Sequence, residues 1–258
     1  KKIPDWWQLP LWWAAFECIA VVLVFTTAFV SRKSTRSEFA LSLFFQNGLF
    51  FPLIVITGLF GAGSPYAVQL FIFIIFHPVL FFSSAHLFFR KKSNDNKNKK
   101  LNMARIVNPV LVSTALAVAV RLMGLETYLP RFLVTMLTML GGMTLPLLMI
   151  ILGGSLYIDF QKKGKIYFAE ILKFVVVKNF LFPLVFIGLL ILVRPDYNIA
   201  LIILLESAVP PITGTSVFAE REGGNASIAN QFILASFAVS VVSLPLMFTL
   251  LSRFFPMP

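Results

Sequence analysis

The chain has 258 residues, of which 58% are hydrophobic and 13% are charged, and its mean hydropathy is +0.87. This composition excludes an ordinary soluble domain and indicates a protein that lives in a lipid bilayer. The net charge of +11 is spread over the polar joins between apolar stretches, without a folded basic region, which argues against nucleic-acid binding.

Eight apolar stretches of membrane-spanning length follow one another along the chain. About 20 helical residues, rising about 1.5 Å each, cross a hydrocarbon core about 30 Å thick. We therefore predict an all-α, polytopic membrane protein with about eight transmembrane helices. The predicted spans lie near residues 9–30, 39–60, 67–89, 106–123, 132–157, 168–193, 198–219 and 228–251.

The basic residues predict how these spans are oriented. If alternate joins face alternate sides, fourteen of the 22 Lys and Arg residues fall on one side and six on the other, while Lys173 and Lys178 lie within a span. Cytoplasmic joins carry the excess of Lys and Arg, so the basic side is predicted to be cytoplasmic. The polar, lysine-rich join at 91–105 is typical of a flexible cytoplasmic linker between two halves, residues 1–90 and 106–258.

The second span contains residues that a membrane helix rarely carries. Gln46, Asn47 and Gly48 lie near its middle, and Pro52 follows one turn later. Proline lacks a backbone N–H and clashes with the carbonyl four residues back, so Pro52 leaves the carbonyl of Gly48 without a helical partner. This pattern predicts an interrupted helix.

The seventh span has a matching pattern but runs in the opposite direction. Glu206 and Ser207 lie near its middle, and Pro210 and Pro211 free their carbonyls. The half-helix that follows, with Thr213 near its start, presents unpaired N–H groups to something negative. Antiparallel broken helices at matching depth are typical of inverted-repeat transporters, where they form a site for substrate or ion. The alternative is a pair of structural kinks that neighbouring helices satisfy.

Lys178 lies near the middle of the sixth span, where a charge needs a carboxylate, carbonyl groups or an anionic ligand. We hypothesise that it either balances Glu206 or supplies the positive charge for an organic anion. The predicted substrate-binding residues are Gln46, Asn47, Gly48, Pro52, Lys178, Glu206, Ser207, Pro210, Pro211 and Thr213.

Three other features of the sequence each have two interpretations. Glu17 is assigned either a coupling or pairing role or a water-exposed position, and His77, which precedes a proline, is expected to bond a neighbouring helix rather than to relay protons. Gly141–Gly142 in the fifth span indicates tight helix packing or a subunit contact.

Several motifs, taken in their order, resemble the auxin efflux carrier family. They are Asn108–Pro109, Pro146 with GGSL at 153–156, ESAVPP at 206–211 and SVVSLPL at 240–246. The resemblance covers nearly the whole chain and implies two inverted five-helix repeats, of which this chain contains the last eight helices. Residues 1–90 then form an incomplete first repeat with one crossover, and residues 106–258 form the second repeat with the other. Glu206–Ser207 departs from the plant pattern, which weakens auxin as the substrate.

The resemblance implies a secondary active carrier of small organic anions, such as dicarboxylates or auxin-like weak acids, in a bacterial plasma (inner) membrane. It implies alternating access around the crossed helices, a homodimer, and no cofactor beyond a coupling proton or sodium ion. One alternative is a membrane-embedded ligand sensor with a transporter-like core. Another is a sodium-coupled carrier similar to bile-acid symporters. An enzyme is not predicted, since the sequence has no metal motif and no nucleophile–base pair in a recognisable context.

Overall fold

The computed structural model describes residues 6–61, 63–89, 123–143 and 166–257, together with single residues and pairs between 112 and 161. Within this part of the chain all regular secondary structure is helical, which confirms the all-α prediction. The predicted linker at 91–105 and the motif at 108–109 lie outside the described residues.

Most of the described residues belong to α-helices separated by short joins. In chain order the helices are α1 (Gln8–Thr27), α2 (Arg36–Phe44), α3 (Phe50–Phe60), α4 (Pro65–Phe73), α5 (His77–Ser84), α6 (Arg131–Gly142), α7 (Phe168–Val175), α8 (Phe182–Val193), α9 (Tyr197–Ala208), α10 (Gly214–Arg221) and α11 (Ala226–Ser252). Turns of 3₁₀ helix follow α1 (Ala28–Val30) and α5 (Ala85–Phe89), another precedes α6 (Leu125–Tyr128), and a π-helical turn (Val176–Leu181) joins α7 to α8.

Three helical stretches in this part of the chain are long and apolar enough to cross a membrane: Gln8–Val30, Phe168–Val193 and Ala226–Ser252. They agree with the predicted first, sixth and eighth spans to within two residues at each end. The other apolar helices in the described part of the chain are shorter, and in the second and seventh spans this is because the helix is interrupted. Side chains such as Val22, Phe25 and Phe29 are exposed on the first span, as expected for a surface that faces lipid.

Both predicted interruptions are present. In the second span α2 ends at Phe44 and α3 begins at Phe50, and in the seventh α9 ends at Ala208 and α10 begins at Gly214. The first break, between Phe44 and Phe50, lies earlier in the chain than Pro52 alone would predict. Pro52 lies in the first turn of α3, where its missing N–H sacrifices no helical hydrogen bond.

The third span is also interrupted, which the sequence interpretation missed. A turn between α4 and α5 is closed by a 2.9 Å hydrogen bond from the His77 N–H to the Ile74 carbonyl. Pro78 follows at the start of α5 and cannot donate to that same carbonyl four residues back. The sequence signal for this break is therefore Pro78, which lies inside the predicted span at 67–89.

The sixth span stays continuous but changes its hydrogen bonding around Lys178. Pro183 has no N–H for the carbonyl of Asn179, so the preceding turn widens into a π-helix, in which the Phe182 N–H bonds the Val177 carbonyl five residues back. Single π-turns inside α-helices occur often at functional sites. This turn carries Lys178 and Asn179 into the protein interior, where both side chains are fully buried.

The joins gather at two ends of the helical bundle. The join after the first span meets the start of α7, where the Ser31 hydroxyl donates to Glu170, and the join before α11 meets α2, where the Asn225 N–H donates to Glu38. At the other end the ring of Tyr66 contacts that of Tyr197.

Candidate functional site

The two interrupted helices meet at their breaks and pair through their backbones. The Asn47 N–H donates to the Pro210 carbonyl at 2.8 Å, and the Ile212 N–H donates to the Phe45 carbonyl at 3.0 Å. Gln46 and Pro211 form an antiparallel β-bridge between these bonds. The breaks therefore satisfy one another's polar groups and hold the second and seventh spans together at one crossing point.

Glu206 lies at this crossing, in the last turn of α9, and is fully buried. The Gln46 amide nitrogen donates to its Oε2 atom at 3.4 Å. Gly48 lies so close that a methyl group on its Cα would overlap the Glu206 carboxylate. Among the described residues, Oε1 of Glu206 and Oε1 of Gln46 have no hydrogen-bond partner. The crossing thus holds a carboxylate that is packed tightly but bonded incompletely.

Lys178 reaches the same crossing from the π-turn. Its ammonium group donates to the Ser207 carbonyl at 3.4 Å and lies 5.0 Å from the centre of the Phe182 ring. Since Pro211 has no N–H, this carbonyl is one that the seventh helix leaves free. In the described part of the chain no carboxylate oxygen lies within 4.0 Å of the ammonium, so Lys178 and Glu206 form no direct ion pair, although each acts electrostatically on the other.

A cavity of about 410 Å³ lies beside the crossing. Its walls are mostly apolar, and its polar lining is confined to a few groups. This is the usual composition of a site for a small molecule, in which apolar walls supply contact and a few polar groups fix orientation. The polar lining residues are Gln46, Asn47, His77 and Arg221, and the aromatic ones are Phe50, Phe71, Phe81 and Phe218.

The predicted site residues divide into two groups around this cavity. Gln46, Asn47 and Gly48 line it. Lys178, Glu206 and Ser207 are fully buried and do not line it. The other predicted residues, which belong to the crossing or its flanks and also do not line the cavity, are Pro52, Pro210, Pro211 and Thr213.

The start of α10 meets the cavity at Gly214. Thr213, just before it, makes no side-chain cap, and the hydroxyls of Thr215 and Ser216 bond back to carbonyls of the preceding turn. The hydroxyls are therefore already engaged, and what this helix offers the cavity is its N-terminal dipole, which favours a negative group.

Two residues near the site were not among the predicted set. The His77 ring nitrogen Nδ1 lies 3.3 Å from Oε1 of Glu17, which links the start of α5 to α1. The expectation that His77 bonds a neighbouring helix is confirmed, and Glu17 takes a paired rather than a water-exposed position. Sixty residues separate the two in sequence, so no local pattern joins them.

The chain matches a known protein family over most of its length. A family model described as "Membrane transport protein" matches residues 1–248, which is nearly the whole chain. No curated protein and no solved structure gives a match.

Proposed function

This chain belongs to the membrane transport protein family, the auxin efflux carrier family that its motifs resemble, and we propose that it is a secondary active carrier of small organic anions. The family is one of membrane transporters and is not an enzyme class. The observation that carries the proposal is the backbone-paired crossing of two interrupted helices beside a cavity.

The crossing supports alternating access as the mechanism. Discontinuous helices that run in opposite directions place free carbonyls and half-helix N-termini at one point, and access can alternate when the rest of the bundle moves around that point. We propose that the described helices belong to the last eight of a ten-helix inverted repeat in a bacterial inner membrane. The second and seventh spans would be its two crossover helices.

The charge around the cavity favours an anion. The N-terminus of α10 meets the cavity at Gly214, and Arg221 lines it from the other end of the same helix. These two positive features are separated by about 10 Å, given the rise of about 1.5 Å per helical residue. Aromatic walls between them, including Phe218, suit the apolar body of a weak acid.

Transport by the purified chain in proteoliposomes tests the proposal. We expect saturable uptake of at least one acid from a panel of malonate, malate, benzoate and indole-3-acetate, with competition among the acids that are carried. Flux that never saturates would contradict a carrier. Binding of an acid without flux would replace the carrier with a membrane-embedded ligand sensor.

Lys178 provides the first variant for this assay. Lys178→Met removes a charge that the fold keeps beside the crossing, and we expect the apparent affinity for the carried acid to fall about ten-fold, because the positive potential behind the site is lost. Lys173→Met is the matched control, since Lys173 lies on the same span but pairs with Glu170 at the end of the bundle. Unchanged transport in Lys178→Met would remove Lys178 from the mechanism.

A second candidate is coupling to sodium. The unpartnered Oε1 atoms of Gln46 and Glu206 belong to side chains in direct contact, and hard oxygen ligands of this kind suit a small cation. Replacing sodium by choline on both sides of the membrane tests this candidate. A loss of uptake would support sodium coupling, and unchanged uptake would reject it.

We also propose that the carrier is a homodimer that associates through its fifth span. In that span α6 has no buried residue, and it ends at Gly141–Gly142, where small side chains allow close helix approach. A single cysteine at position 138 of α6 in a Cys18→Ser background is expected to give a crosslinked dimer in membranes. Crosslinking no stronger than from a cysteine at position 22 of α1 would contradict this arrangement.

A further inference from the structure

Glu17 and His77 form a buried pair beside the cavity that the transport proposal leaves without a role. Glu17 is 6% exposed and His77 is 7% exposed, and His77 belongs to the cavity wall. One oxygen of Glu17 faces one ring nitrogen of His77 at 3.3 Å. The other oxygen and the other ring nitrogen have no partner among the described residues. Buried polar atoms are usually hydrogen-bonded, so these two atoms are open to a proton, a water molecule or a ligand.

The pair lies within the electrostatic reach of the crossing. Helix α1, which carries Glu17, packs against α9, which carries Glu206. Glu17 acts electrostatically on both Glu206 and Lys178. Among the described residues, Arg221 on α10 is the other charged side chain that lines the cavity, and it is exposed. In the part of the chain that the structure describes, the charged groups that interact with Glu17 or line the cavity beside His77 are therefore Lys178 and Glu206 in the interior and Arg221 at the surface.

The charge balance of the buried groups depends on His77. The buried groups beside the cavity are Lys178, Glu206, Glu17 and His77, and one proton on His77 raises their net charge by one unit. A buried charge needs a partner, and Glu17 supplies one for a protonated His77. The same proton converts the contact with Glu17 from a single hydrogen bond into an ion pair. Histidine is the side chain that ordinarily changes charge between about pH 5 and 8.

We propose that the Glu17–His77 pair is a proton-binding site whose occupancy is coupled to an anion in the cavity. One proton from water adds to the imidazole ring, and the same proton leaves to water, with no other bond made or broken. When the site holds the proton, the net charge beside the cavity is one unit more positive, which favours an anion in the cavity. When the proton leaves, that positive charge is lost and the anion binds more weakly.

This proposal rests on the proposed organic-anion function, and it also predicts the direction in which the proton moves relative to the anion. Because coupling between two binding events is reciprocal, an anion in the cavity must strengthen proton binding by the same factor by which the proton strengthens anion binding. Anion and proton are therefore expected to move together, in the same direction across the membrane.

The histidine content of the chain allows a direct test. The sequence contains two histidines, so a His86→Gln variant leaves His77 as the single imidazole. We expect ¹⁵N spectra of this variant in nanodiscs to show His77 changing from neutral to doubly protonated when benzoate is added near neutral pH. Glu17→Gln in the same background should abolish that change. Spectra of His77 that do not respond to saturating benzoate would overturn the proposal.

Binding measurements supply a second readout. Benzoate stays ionised between about pH 5.5 and 8, so any change in its affinity over that range reports on the protein. As the pH rises across this range, we expect the Kd of the wild type for benzoate to rise about ten-fold or more. The Kd of His77→Gln should stay nearly constant. Glu220→Gln is the control, because it removes an exposed carboxylate from α10 outside the cavity and should keep the wild-type pH dependence.

The outcomes distinguish failure of the proton site from failure of the organic-anion carrier proposal on which it rests. If no acid in the panel binds to the wild-type chain, the organic-anion function fails and the coupled proton site fails with it. If benzoate binds but its affinity is independent of pH, or if His77→Gln keeps the wild-type pH dependence, the carrier proposal stands and the proton site at Glu17–His77 is rejected.

Discussion

Two buried carboxylates differ in the hydrogen bonds that they accept: Glu170 at the end of the bundle and Glu206 at the crossing. Glu170 is 1% exposed and accepts hydrogen bonds from the Ser31 hydroxyl at 2.8 Å, the Arg32 N–H at 3.1 Å and the Lys173 ammonium at 2.9 Å. Glu206 is 0% exposed, and from the described residues it receives one hydrogen bond, of 3.4 Å, from the Gln46 amide.

The difference distinguishes a structural carboxylate, Glu170, from one that we propose to be functional, Glu206. The bonds of Glu170 join the start of α7 to the end of the first span, and they compensate its charge fully. Glu206 keeps an oxygen without a described partner in a place where an unmatched charge destabilises the fold. Groups kept under such conditions are candidates for function, because their unused bonding capacity is available to an ion or a ligand.

The largest effect is expected when the packing around Glu206 is changed. Gly48→Ala adds a methyl group that overlaps the Glu206 carboxylate, so either the carboxylate or the paired backbone at the crossing must move. We expect initial uptake rates in proteoliposomes to fall about 100-fold, since a displacement of about 1 Å at a site costs that much. Gly58→Ala on the same span meets nothing within 4 Å and should retain wild-type rates. Equal rates in the two variants would show that the crossing tolerates rearrangement.

At Glu170 the expected effect is on the stability of the fold. Glu170→Ala leaves the Ser31 hydroxyl, the Arg32 N–H and the Lys173 ammonium without their shared acceptor, which should lower the free energy of unfolding by about 3 kcal/mol. Denaturant unfolding in detergent measures this change. The fraction that stays folded should transport at the wild-type rate. A loss of transport without a loss of stability would place Glu170 in the mechanism.

The smallest effect is expected at Arg32, the exposed charged rim of the cluster of hydrogen bonds around Glu170. The Arg32 side chain is 69% exposed and lies 3.5 Å from Glu170, and exposed ion pairs contribute little. Arg32→Gln should therefore change the free energy of unfolding by no more than about 0.5 kcal/mol in the same unfolding experiment. A change several times larger would mean that the cluster depends on its charged rim rather than on its buried hydrogen bonds.

Much of the fold follows from hydropathy and proline. The limits of the first, sixth and eighth spans were predicted within two residues, because uninterrupted apolar helices need only enough length to cross a bilayer. The breaks in the second and seventh spans were predicted from their prolines and polar residues. The break before His77 and the π-turn before Pro183 were missed, although the same proline rule accounts for both after the fact.

The residues of the candidate site stand out in the sequence, but their contacts do not. Sequence spacing identified Gln46, Glu206 and Lys178 as unusual, yet it could not show that Lys178 would bond the Ser207 carbonyl rather than Glu206. Nor could it bring Glu17 to His77. Both outcomes depend on how each helix is rotated about its axis, which in a membrane is set by packing against neighbours and not by a polar face.

The comparison of the two carboxylates is tested most directly by replacing Glu206. Glu206→Gln removes the under-bonded carboxyl group and, with it, the electrostatic interaction of that group with Glu17. We predict that in proteoliposomes this variant folds as stably as the wild type, loses uptake driven by a pH gradient, and keeps exchange of the same acid at equal pH. Intact pH-driven uptake in Glu206→Gln would contradict a functional role for the carboxylate at the crossing.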